Sequence, residues 1–154
     1  MKMKKIGAYE MPLPEMNIHH CDLAVVRCYD FRFREVDQRF AELFFGTKNF
    51  DLTGIPAPAK RLQSDQRVFQ TLVADVKNVC IDLHHVKTLV VLGHWDCGGY
   101  GGSKAFGNPG KEEARYTADL KAAKKLLAAE LPRLKIRIFY SKPSDGKLLY
   151  FEIK

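Results

Sequence analysis

Val86-Lys87-Thr88-Leu89-Val90-Val91-Leu92 runs into Gly93-His94-Trp95-Asp96-Cys97 and then into Gly98-Gly99-Tyr100-Gly101-Gly102. The apolar run is continuous rather than alternating, which is the pattern of a strand buried on both faces, as in a parallel sheet. Leu23-Ala24-Val25-Val26 repeats the pattern in short form and ends in Arg27-Cys28-Tyr29-Asp30. Parallel strands need crossover connections, and the intervening sequence supplies helices for them.

Val36, Phe40, Leu43 and Phe44 recur at helical spacing, predicting a helix over 33–45 that Gly46 stops. Residues 49–55 read as a short second strand, after which Pro56 and Pro58 break the chain. Ser64 is the expected N-cap of a helix whose apolar face is Val68, Leu72, Val76, Val79, Cys80 and Leu83. A longer helix is expected from Pro109 or Lys111 to Leu131, stopped by Pro132. Residues 134–140 read as a fourth strand, Pro143 to Lys147 as a turn, and 148–153 as an antiparallel return. The expectation is an α/β fold: a mostly parallel central sheet flanked by helices, with an antiparallel C-terminal strand. Residues 1–21 read as an N-terminal arm and 22–154 as one domain.

The 154 residues are 46% hydrophobic and 28% charged, which is ordinary globular usage and argues against disorder. No run approaches the roughly 18 apolar residues of a membrane helix, and no apolar stretch follows the basic Met1-Lys2-Met3-Lys4-Lys5 to make a secretory signal. A cytoplasmic protein without membrane partners is expected. The net charge of +7 raises the question of nucleic acid. The lysines and arginines are dispersed, however, and not interleaved with aromatics as in a single-strand binder, so no nucleic-acid partner is expected.

Chemistry gathers at two strand ends. Cys28-x-Asp30-x-Arg32 follows the first strand, and His94-x-x-Cys97 follows the strongest one. In a parallel sheet all carboxyl ends lie on one edge, so the two clusters meet if their strands are neighbours. Two sulfurs and one imidazole suit zinc and leave one tetrahedral position open, the mark of a catalytic site. Asp30 could fill that position or accept a hydrogen bond from a water there, and Arg32 could hold Asp30 in a bidentate pair. Cys21 and Cys80 read as small hydrophobes, His19, His20, His84 and His85 as surface or helix-end residues, and Asp96 as a loop or cap residue.

At these residues the sequence resembles the β-class carbonic anhydrase family, marked by a Cys-x-Asp-x-Arg motif and a later His-x-x-Cys-Gly motif. Here they read Cys28-Tyr29-Asp30-Phe31-Arg32 and His94-Trp95-Asp96-Cys97-Gly98, and the similarity in pattern spans about residues 22–140. The resemblance implies one zinc per chain on Cys28, His94 and Cys97, an Asp30–Arg32 catalytic dyad, and no organic cofactor. It implies a carbonate dehydratase: a zinc lyase in which hydroxide on the metal hydrates CO2 reversibly to bicarbonate. Asp30 is the residue that would close the fourth zinc position in an inactive form. A homodimer or higher homo-oligomer is implied as well. The same metal site would serve a zinc hydrolase of another small electrophile, such as CS2 or COS. It would equally serve a zinc-stabilised regulatory or binding module without turnover. Tyr29, Phe31, Phe33 and Trp95 are the candidates by position for lining a substrate pocket.

Overall fold

The computed structural model describes residues 11–154. The expected arm thus lies partly outside the described residues, and 11–22 form neither helix nor strand. The five strands are β1 (Leu23–Arg27), β2 (Phe50–Gly54), β3 (Thr88–His94), β4 (Lys135–Ser144) and β5 (Lys147–Glu152), in the order β2-β1-β3-β4-β5. β2, β1, β3 and β4 pair in parallel, and β5 pairs antiparallel to β4. A two-residue turn at Asp145-Gly146, both at positive φ, joins the last pair inside the expected turn, whose flanking Pro143 and Ser144 belong to β4 and Lys147 to β5.

Strand residues alternate between faces, and each face has its own cover. Leu23, Val25, Val90, Leu92 and Phe139 pack with Ala41 of α1 (Arg34–Phe45). Ala24, Val26, Leu89, Val91, Ile136 and Ile138 face the other way, under α2 (Pro58–Ser64), α3 (Gln66–Asp75) and α4 (Pro109–Glu130). Gly46, at φ 68, ends α1 in the left-handed conformation that a side chain would oppose. Asn108 caps α4 by accepting from the Lys111 N–H, and Pro109 occupies its first turn.

Three expectations are corrected. Pro58 does not break the chain but opens α2, because a first-turn residue has no N–H bond to lose. Ser64 therefore ends a helix, and the cap of α3 is Asp65, whose carboxylate accepts from the Val68 N–H. The apolar stripe also fails beyond Val76. Residues Val76–Ile81 wind as a π-helix, which rotates later side chains off the 3.6-residue face. Val79 and Leu83 are exposed as a result, and Ile81 is buried in their place.

Candidate metal centre

From β1 the chain crosses to β2 on one side, then returns to β3 on the other. The carboxyl ends of β1 and β3 thus flank the switch point, where the loops diverge and leave a crevice. Cys28 follows β1, His94 ends β3, and Cys97 lies three positions further on. All three are buried, and their donor atoms lie within 4.8 Å of one another. Such a donor set could hold a metal ion.

The sulfurs of Cys28 and Cys97 are 3.8 Å apart. Two sulfurs bonded at about 2.3 Å to one tetrahedral centre stand about 3.8 Å apart, so this pair has the spacing of a ligated one. Nδ1 of His94 lies 2.7 Å from the Trp95 carbonyl oxygen, to which it donates. That fixes the tautomer and leaves the lone pair on Nε2. Nε2 is buried and has no hydrogen-bond partner among the described residues, a state that proteins rarely leave unfilled. Phe33 packs on the ring at a tilt of 32°, with centroids 4.0 Å apart. Cys28 Sγ accepts from the Ala57 N–H at 3.5 Å. Gly99 lets the two loops meet there, since a Cβ on it would come within 2.4 Å of the Ala57 Cβ.

The thiols do not share charge equally. The hydrogen bond from Cys97 holds the Cys28 pKa well below the thiol range, whereas the negative Cys28 sulfur and burial push Cys97 up. The pair thus keeps one proton. Burial alone would lower His94, but the Cys28 sulfur and the Trp95 carbonyl outweigh it and raise the imidazole.

Asp30 and Arg32 sit at the rim. The carboxylate first caps the short turn Phe31–Phe33, accepting the Arg32 backbone N–H at 3.0 Å. It then takes Nε and Nη2 of the same arginine at 3.0 and 2.7 Å, which holds its pKa below the ordinary carboxylate range. Its Oδ2 stands 4.0 Å from His94 Nε2. Arg32 also reaches Asp96, a loop residue as expected, whose other oxygen accepts the Ser103 N–H at 2.9 Å; no local spacing reveals an arginine partner 64 positions away. The buried Arg27–Asp37 pair was missed as well: Arg27 donates to the Asp30 carbonyl at 2.9 Å and so steadies the loop from below. Cys28, Asp30, Arg32, Cys97, Gly99 and Lys104 border an open cavity of about 790 Å³. Of the expected lining residues, Tyr29 and Phe31 border it; Phe33 packs on His94 and Trp95 against the core instead.

The chain matches the model of a family described as putative carbonic anhydrase over residues 18–144. It is 25% identical over 126 residues to an uncharacterized protein of Rickettsia conorii, covering 79% of this chain and 68% of that one. An uncharacterized protein of Rickettsia bellii is 23% identical over 141 residues, covering 88% and 86%. Among solved structures, the β-carbonic anhydrase isoform I of Trichomonas vaginalis shares the fold. Its TM-score is 0.55 at 16% identity, over 92% of this chain and 88% of that one.

Proposed function

This chain belongs to the putative carbonic anhydrase family, and on that premise we propose that it is a zinc lyase catalysing the reversible hydration of CO2 to bicarbonate. The observation that carries the reading is the 3.8 Å sulfur pair together with the unpartnered, buried Nε2 of His94. Cys28, His94 and Cys97 would hold the ion. Bound there, zinc supplies the Lewis acidity that brings deprotonation of water near neutral pH.

The chain's own residues do the rest. Trp95 orients His94 through its carbonyl, and the Ala57 N–H steadies the charge on Cys28. Asp30 accepts a hydrogen bond from the water oxygen that becomes the nucleophile and so aims it at the carbon of CO2. Arg32 holds that carboxylate at the rim, which supports an open site over one closed by Asp30. In the net reaction one C–O bond forms, bicarbonate leaves, and one proton passes to solvent. Arg32 is taken up by Asp30 and Asp96 at the cavity mouth, which leaves Lys104 as the lining cation that could meet the anionic product. The reading includes a homodimer or higher assembly in the cytoplasm; among the described residues no helix is long and apolar enough to cross a membrane.

Stopped-flow CO2 hydration by the zinc-loaded chain tests the reading. The expected outcome is turnover far above buffer that disappears in Cys97→Ser. A correctly assembled, zinc-loaded protein with no hydration above buffer would overturn it, and turnover of CS2 or COS by that same sample would redirect it.

A further inference from the structure

A second set of ligand-type side chains lies at the opposite edge of the sheet. Cys21 precedes β1, Asp51 is the second residue of β2, and His84 follows the π-helix that continues α3. About seven residues of extended chain, some 20 Å at roughly 3.3 Å per residue, separate Cys21 from Cys28, so the two sets are distinct. The sulfur of Cys21, a carboxylate oxygen of Asp51 and a ring nitrogen of His84 all lie within 4.8 Å of one another.

The backbone holds them there. The Cys21 N–H donates to the His84 carbonyl at 2.9 Å, and Asp51 is fixed by the β1–β2 register opposite Ala24. His84 Nδ1 lies 2.8 and 2.9 Å from the two Asp51 oxygens. In a tetrahedral zinc site the edges between nitrogen, oxygen and sulfur ligands are about 3.3–3.6 Å, so a modest opening of the His84–Asp51 contact admits an ion. Glu15, His19 and His20 border the same cavity of about 290 Å³ and offer further donors. The ion pair brings imidazole and carboxylate together, and Cys21, whose thiol donates to the Leu23 carbonyl at 3.5 Å and packs against the core, adds a sulfur from a third element.

We propose that Cys21, Asp51 and His84 form a second divalent-cation site, of the borderline zinc class, which ties the segment before β1 to β2 and to the end of the helical layer. Sulfur, imidazole and carboxylate together select such an ion over magnesium or calcium, which take oxygen ligands. The three donors come from three separate elements, so an ion there clasps them together, and a structural site is closed by a fourth ligand, for which Glu15, His19 and His20 border the cavity.

The test is zinc counting by elemental mass spectrometry on the full chain, after equilibrium dialysis against zinc and removal of free ion. Cys21→Ser and His84→Ala should each hold one zinc fewer than the wild-type chain, whatever Cys28 and Cys97 hold. Stoichiometry unchanged in both folded variants overturns the proposal. Wild-type protein supplies a second measurement that needs no variant to fold: alkylation of each cysteine read by peptide mass spectrometry with and without zinc. Cys21 labelling should drop at least fivefold on adding zinc. Equal labelling of Cys21 in both samples overturns the site.

Discussion

Arg32 reaches across the crevice to Asp96, placing Nη1 2.9 Å from the carboxylate and Nη2 3.0 Å from the backbone carbonyl. The same guanidinium, anchored there, grips Asp30, so Asp30 turns toward the cysteines only by giving up its bonds to Arg32. With 45% of Arg32 and 32% of Asp96 exposed, the ion pair itself adds only about 0.5 kcal/mol to stability. Its effect is on position. Asp96→Ala should therefore keep zinc and lower CO2 hydration roughly tenfold, the scale of lost support to a metal site. Zinc content with stopped-flow rates at neutral pH checks this, and wild-type turnover would remove Asp96 from the account. Arg32→Ala should lose more. It lets the Asp30 pKa rise toward the ordinary carboxylate range, where Asp30 is still ionised at neutral pH, so a loss there reads displacement and not charge.

Metal binding at Cys28, His94 and Cys97 should release protons. Without an ion, Cys97 keeps its proton because Cys28 is already negative beside it, and the raised His94 imidazole holds one over a wider range. Both groups must lose protons to ligate, so zinc affinity falls as pH falls. Calorimetric titration of zinc into the metal-free chain, in two buffers of different ionisation enthalpy, should give at least one proton released per ion. Release of none would mean that the thiols are not the ligands. At a zinc concentration a thousandfold above Kd, binding should add about 4 kcal/mol to folding stability, which a chelator reverses.

Gly99→Ala tests how Cys28 is held. The new methyl would sit 2.4 Å from the Ala57 Cβ, and Ala57 carries the N–H that Cys28 accepts. The loops must move apart, at a cost of roughly 1–3 kcal/mol. Urea unfolding should show that loss together with weaker zinc binding. Gly98→Ala, where nothing lies within 4 Å of the added atom, should leave both near wild type.

The sheet and its two main helices were legible because their signals are local. The continuous apolar runs mark β1 and β3, Val36 with Phe40 marks one helix at helical spacing, and Pro109 and Pro132 bracket the other. The order of strands was not local, yet the motifs implied it: Cys28 meets Cys97 only if β1 and β3 are neighbours, as they are. What escaped depends on contacts distant in sequence. Nothing near Asp96 reports Arg32, nothing near Cys21 reports His84, and Ser64 with Asp65 are both good caps, so only the presence of α2 decides between them. The π-helix at Val76–Ile81 shifts a periodicity that the residues alone present as unbroken.

Tyr116 offers the sharpest separation of stability from metal affinity. Its hydroxyl is buried with no hydrogen-bond partner among the described residues, and burial first, then the nearby Cys97 sulfur, raises its pKa. A phenol there can donate to a thiolate once Cys97 loses its proton, which stabilises the ligating form only. In the metal-free chain the unsatisfied hydroxyl is instead a burden, since burial without a partner costs about 1–3 kcal/mol. Tyr116→Phe should therefore leave the metal-free chain as stable as wild type or more so, while weakening zinc binding on the order of tenfold. Thermal unfolding in chelator and competitive zinc titration measure the two effects separately. If the variant binds zinc as tightly as wild type, the hydroxyl does not reach the sulfur and its burial serves packing alone.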